Sequence, residues 1–184
     1  DAVLEAPLKA AEVNGGLYML FKEFSVSTMI GREILAYVTV PAANNGPRLD
    51  LQAHLADPNV PIDPTQYKHS THYIAEPAWD AISLAIDNSN LSAVDSKVKV
   101  IFVPTYLNKA DGIFNKNYYE LLVGMDVTVF PSYYEPWGYT PLESIAFGIP
   151  TITTDLAGFG LWAKKHVTGN DICEGVAVVN RDDF

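Results

Sequence analysis

Two patterns of apolar and polar positions alternate along the chain. In one, short apolar runs stand almost unbroken: EILAYVTVPA (33–42), KVKVIFVP (97–104), DVTVFP (126–131), TITTD (151–155) and GVAVV (175–179). Runs of this length and composition predict strands buried on both faces of a parallel sheet. In the other, apolar residues recur every three or four positions, predicting helices over LDLQAHLA (49–56), AWDAISLAIDN (78–88), NYYELLVG (117–124), TPLESIAFG (140–148) and GFGLWAKKH (158–166). In the second of these, Trp79, Ile82, Ala85 and Ile86 would form the buried stripe. A further short helix is predicted over residues 2–12, interrupted by Pro7 and broken by Asn14, Gly15 and Gly16. Residues 57–75, with Pro58, Pro61 and Pro64, read as a surface excursion. Strands alternating with helices imply an α/β domain with a Rossmann-like parallel sheet flanked by helices.

The helix over 140–148 carries the clearest boundary signals. Thr140 is its expected N-cap, Pro141 its first residue, Glu143 the partner in a T-x-x-E capping box, and Gly148 its terminator. In parallel sheets of this kind ligands bind beyond the carboxyl ends of the strands. YYEPWGYTPLES (133–144) falls there, between a strand end and a helix start.

Composition narrows the chemistry. With 184 residues the chain is one domain or a large part of one. The formal charge of −10 disfavours nucleic-acid and anionic-membrane partners, so an anionic ligand would have to be held locally. Cys173 is the only cysteine, which excludes an internal disulfide, fits a reducing cytoplasmic compartment and reads as a small buried hydrophobe near a strand. The N-terminus lacks a signal-peptide pattern, and both ends look cut, so the chain reads as an internal fragment of a larger protein. His54, His69, His72 and His166 have no framework of carboxylates or cysteines, and read as surface residues rather than metal ligands. The glycines of AGFGLW (157–162) match no complete phosphate-binding motif.

Residues 117–163 contain no lysine or arginine. A phosphate near YYEPWGYTPLES would therefore rely on backbone N–H groups around Gly138 to Leu142, where a helix start is electropositive. Glu135 precedes Pro136, which favours an extended backbone. Its carboxylate could accept hydrogen bonds from sugar hydroxyls or stabilise positive charge at an anomeric carbon, or be a solvated loop residue. Aromatics beside a helix start and a loop carboxylate suit a sugar or base site, although each alone would suit a core.

YYEPWGYTPLES followed by IAFGIPTITTDLAGFG closely resembles the E-x7-E region of glycogen synthases of the animal and fungal type. The likeness is strong over residues 97–184 and loose over 1–95. It implies one half of a GT-B fold, the C-terminal nucleotide-sugar-binding domain, with the N-terminal acceptor domain absent. By that resemblance Glu135, Trp137 and Gly138 would address glucose, with Glu135 closest to catalysis. Thr140 with neighbouring amides would meet the diphosphate, Glu143 the ribose, and Tyr106 and Tyr118 the base, with Tyr139 a further substrate-binding residue. Leu142 stands where the animal and fungal motif has alanine and resembles the bacterial Pro-Leu-Glu; Ala157 stands where it has serine. Donor choice between UDP-glucose and ADP-glucose is thereby left open. The family's phosphate-gripping arginine and lysine would lie just upstream of Asp1.

The resemblance thus implies a retaining glucosyltransferase extending an α-1,4-glucan from a nucleotide-sugar donor, without metal or other cofactor, the fragment alone being inactive. Two alternatives stay open: a GT-B glycosyltransferase with a different acceptor, and a non-catalytic glucan- or nucleotide-sugar-binding module. A homo-oligomer of the full-length protein is also left open.

Overall fold

The structure, a computed structural model, describes residues 18–22, 34–63, 69–93, 95–167, 169 and 172–181. In chain order the elements are β1 (Tyr18–Lys22), β2 (Ile34–Thr39), β3 (Asn44–Pro47), α1 (Leu49–Ala56), β4 (His72–Ile74), α2 (Ala81–Asn88), β5 (Val98–Val103), α3 (Tyr118–Leu122), β6 (Val127–Phe130), α4 (Tyr139–Ala146), β7 (Thr151–Thr154), α5 (Gly158–His166) and β8 (Val176–Val179). The helix expected over 2–12 lies outside the described residues.

Six strands form the main sheet in the order β5-β2-β1-β6-β7-β8. Pairing is parallel between β2 and β5, β6 and β7, and β7 and β8. These are the five strands predicted from unbroken apolar runs, and with their flanking helices they give the α/β arrangement expected. β1 is the addition: it pairs antiparallel with both β2 and β6, so the sheet is mixed at its centre. From β2 the chain builds outward to β5, then returns to β6 and builds the other way through β7 and β8. A reversal of this kind opens a crevice at the strand ends on either side of β1.

One core cluster gathers Ile34, Ala36 and Val38 of β2, Val98, Val100 and Phe102 of β5, Val127 and Val129 of β6, and Ile82 and Ile86 of α2. Burial of each such side chain contributes about 1.5–3 kcal/mol, which is why the unbroken runs become interior strands. A second cluster joins Phe159 and Ala163 of α5 to Val176 and Val178 of β8.

Four expectations are corrected. α2 starts at Ala81, capped by the Asp80 side chain accepting from the Ser83 amide (2.7 Å), and this leaves Trp79 outside the helix and 80% exposed rather than in the buried stripe. Cys173 is exposed, because it lies in a 3-10 turn (Ile172–Glu174) just before β8 instead of within the strand. The excursion over 57–75 is not wholly a surface segment, since its end forms β4, which pairs with β3 in a small second sheet. His72 of that strand is 2% exposed: its ring lies 2.9 Å from the Asp111 carbonyl and 2.9 Å from the Thr71 hydroxyl.

Arg48, also buried, closes this region. Its guanidinium donates to both oxygens of Asp50 (3.0 and 2.5 Å) and to the Ser70 carbonyl (3.2 Å). The hydrogen bonds from Arg48 hold the Asp50 carboxyl down to about 2.

Candidate active site

The loop from β6 to α4 is fixed by main-chain partners. As β6 ends, the Thr154 hydroxyl donates to the Ser132 carbonyl (2.6 Å). Glu135 then bridges Ala157 in parallel, the Gly158 amide donating to the Glu135 carbonyl (3.1 Å) and the Phe159 amide to the Trp137 carbonyl (2.6 Å). The close approach requires glycine on both sides: a Cβ on Gly158 would strike the Pro136 carbonyl of the loop, and one on Gly160 the Thr154 carbonyl at the end of β7. The glycines of AGFGLW therefore let the start of α5 lie against the loop that carries Glu135.

Asp155 anchors the opposing turn, accepting from the Arg181 amide (2.8 Å) and from Lys164 Nζ (3.0 Å). Burial of Asp155 works against its charge, but the Arg181 amide and the Lys164 ammonium outweigh that and hold its carboxyl below the usual range.

Ser132 Oγ donates to Glu135 Oε2 at 3.3 Å, and Glu135 is half-buried. Gly138 has φ of +94°, a left-handed backbone that side chains disfavour. A Cβ there would also come within 3.2 Å of Glu135 Oε2. Gly138 thus turns the chain into α4 while leaving room for the carboxylate.

The capping box expected at Thr140 does not form. α4 begins at Tyr139 with Gly138 as N-cap and no side-chain cap, so Thr140 is already helical and its hydroxyl does not cap the helix start. Pro141 becomes the third helical residue, where its missing N–H is still one of the groups without a helical acceptor. The terminator is as expected: Gly148 has φ of +76°, and Ile149 N donates back to the Ser144 carbonyl (2.9 Å).

Released from capping, Glu143 faces a cavity of about 210 Å³. Thr39 at the end of β2 and Pro41 just after it, Thr105, Tyr106 and Leu107 after β5, Tyr118 of α3, and Thr140 and Glu143 of α4 line it. Residues from both sides of the reversal in strand order thus meet at the carboxyl ends of the strands. Glu143 Oε1 accepts a hydrogen bond from the Tyr119 hydroxyl at 3.0 Å, and this bond pushes the Tyr119 phenol above its ordinary range.

Of the residues singled out in the sequence, Tyr106, Tyr118, Thr140 and Glu143 come together around this cavity. Glu135, Trp137, Gly138 and Tyr139 form the loop and helix start beside it rather than its lining. Trp137 packs edge-on against Phe159 (6.1 Å between centroids) and Tyr139 is 68% exposed. Sequence reading missed Ser132, Thr39, Thr105 and Tyr119. The first three are small polar residues at strand ends without a distinguishing pattern; Tyr119 stands beside Tyr118, but only the helix geometry aims it at Glu143.

Among the described residues no group of three or more histidine, cysteine, aspartate or glutamate side chains could hold a metal ion. Nor is any helix among them long and apolar enough to cross a membrane.

The family model "Glycogen synthase" matches residues 65–183. Human liver glycogen [starch] synthase is 38% identical over 113 residues, 61% of this chain and 16% of that protein. Glycogen [starch] synthase isoform 2 of Saccharomyces cerevisiae is 39% identical over 113 residues, 60% of this chain and 16% of its own length. The Caenorhabditis elegans glycogen [starch] synthase is 40% identical over 87 residues, 47% of this chain and 13% of that protein. The chain thus spans about a sixth or less of the length of these relatives. Since the family match takes in the Glu135 loop, α4 and the α5 contact together, this chain belongs to the glycogen synthase family.

Proposed function

We propose that this chain supplies the nucleotide-sugar-binding part of a retaining GT-B glucosyltransferase that works in the cytoplasm, moving glucose from UDP-glucose or ADP-glucose to the 4-hydroxyl end of an α-1,4-glucan. The observation that carries this reading is the convergence of Tyr106, Tyr118, Thr140 and Glu143 on one cavity beside the Glu135 loop. The tyrosines offer aromatic surface to a nucleobase, and Glu143 an acceptor to the ribose hydroxyls. The start of α4, which no side chain caps, offers N–H groups to the diphosphate.

Glu135 has a different part. Its carboxylate, beside Gly138 and held by Ser132, stands ready to accept from glucose hydroxyls and to stabilise positive charge growing at the anomeric carbon as the nucleoside diphosphate departs. Glu143 works in binding, Glu135 in the bond-breaking step. The 184-residue chain by itself transfers no glucose in this account, because the acceptor side of a GT-B cleft comes from a second domain.

The test is incorporation of labelled glucose into glycogen by the full-length protein, supplied with UDP-glucose or ADP-glucose. Incorporation from one donor supports the reading and names the nucleotide. Incorporation from neither, with donor still bound, moves the assignment to a glycosyltransferase with another acceptor or to a binding module.

A further inference from the structure

Tyr119 is fixed from three directions. Its ring stacks on Phe147 of the α4 C-cap, with centroids 5.3 Å apart and planes 15° from parallel. The same ring meets Tyr118 edge-on, at 5.3 Å and 62°. Its hydroxyl donates to Glu143 Oε1 at 3.0 Å. Tyr118 and Glu143 line the cavity; Tyr119 does not, and is 45% exposed on its outer side.

Glutamate has three rotatable side-chain bonds, and a half-exposed one ordinarily samples many rotamers. A phenol stacked on one ring and met edge-on by another holds its hydroxyl in one place, so the carboxylate it binds is confined to a small set of orientations. Oε2 of Glu143 makes no hydrogen bond among the described residues and remains available to a ligand. A carboxylate with one oxygen held by the protein is suited to accept from a vicinal diol without first being ordered.

We propose that Tyr119 is a positioning residue: through its hydroxyl it orients Glu143 for the ribose hydroxyls of the donor, so that preference for a ribonucleotide over its 2′-deoxy form depends on Tyr119. The inference rests on the reading of the cavity as the nucleotide site. Tyr119 touches no substrate; it acts through Glu143, and the stack on Phe147 makes α4 and α3 one unit for this purpose. The arrangement holds over the whole range in which nucleotide sugars are handled, since the phenol loses its proton only at strongly alkaline pH.

The experiment uses the full-length protein and its Tyr119→Phe and Glu143→Gln variants. Binding of UDP, ADP and their 2′-deoxy forms is measured by calorimetry, with KM and kcat for glucose transfer alongside. Tyr119→Phe keeps the ring stack and removes only the donated hydrogen bond. The expected result is a loss of about fivefold to tenfold in affinity for the ribonucleotide. Affinity for the deoxy form should stay within about twofold, and KM should rise while kcat holds.

Equal losses for ribo and deoxy ligands would reduce Tyr119 to a structural support and overturn the proposal. So would an unchanged ribose preference in Tyr119→Phe beside a lost one in Glu143→Gln, with the nucleotide site left standing. If neither variant alters the ribose preference, the Glu143 assignment falls with it; if no nucleotide binds the unaltered protein, the reading of the cavity itself fails.

Discussion

Two proline-bearing regions of this chain are held in different ways. The loop over 131–138 is ordered by main-chain hydrogen bonds to the turn before α5, and its tyrosines are left facing outward: Tyr133 and Tyr134 are both more than 60% exposed. The described residues of the region over 44–63 and 69–75 add buried polar side chains to the β3–β4 pairing, with Arg48, Ser70, Thr71 and His72 each under 5% exposed. A loop held by its backbone can spend its side chains on a ligand, whereas one held by its side chains has committed them to the fold. On the proposed reading the first belongs to the site, while the second packs against the connection between β5 and α3, Gln52 Nε2 donating to the Gly112 carbonyl (2.7 Å).

The largest effect should come from breaking the close approach of the α5 backbone to the end of β7. Gly160→Ala places a methyl group against the Thr154 carbonyl, with no flexible neighbour to yield. A loss of about 3 kcal/mol in denaturant-measured stability is expected, with donor binding lost as well. Next in size is the other loop's device. Arg48→Met leaves Asp50 without its bidentate partner and should cost about 2 kcal/mol, below the range for fully buried pairs because Asp50 is partly exposed. Nucleotide affinity should stay within about twofold, since none of these side chains reaches the cavity.

The same pair has a pH signature. Because the folded-state value of Asp50 is depressed to about 2, the stability it contributes is present above the ordinary aspartate range and is lost as pH falls through about 4 to 2. Acid titration of unfolding free energy should show this loss in the unaltered protein and not in Asp50→Asn.

A smaller effect sharpens the comparison at Gly138. Gly138→Ala forces a methyl group into a left-handed backbone, costing about 1–2 kcal/mol. It also crowds Glu135, so transfer rate should fall by more than stability alone explains. The smallest effect separates caps that form from caps that do not. Asp80→Ala should cost about 1 kcal/mol, while Thr140→Ala should change stability by less than about 0.5 kcal/mol, both read from thermal or urea unfolding.

What the sequence revealed follows from the same contrast. Unbroken apolar runs report burial directly, so β2, β5, β6, β7 and β8 were legible to within two or three residues at each end. The helices were legible where apolar spacing carried them, and α5 matched at both ends. The capping box misled because T-x-x-E is a local pattern, and the left-handed turn at Gly138 began the helix two residues early. His72 misled because burial among polar partners leaves no apolar periodicity to read. β1 was not read at all: LYMLFKEF has neither a clean alternation nor turn residues on both sides. At the site, aromatic and glutamate residues stood out by type, but the division between cavity lining and adjoining loop depends on how β2, β5 and α4 meet in space.

The central claim is that Glu135 and Glu143, eight positions apart, do different work: one in the bond-breaking step, the other in holding the nucleotide. Steady-state glucose transfer by the full-length protein should be compared between Glu135→Ala and Glu143→Ala, with the fold of each checked by circular dichroism. The account predicts that Glu135→Ala loses about 10²–10³ in kcat with little change in KM, and that Glu143→Ala raises KM while keeping most of kcat. A Glu135→Ala enzyme that folds and retains kcat within a few-fold, or two variants with the same pattern of loss, would contradict it.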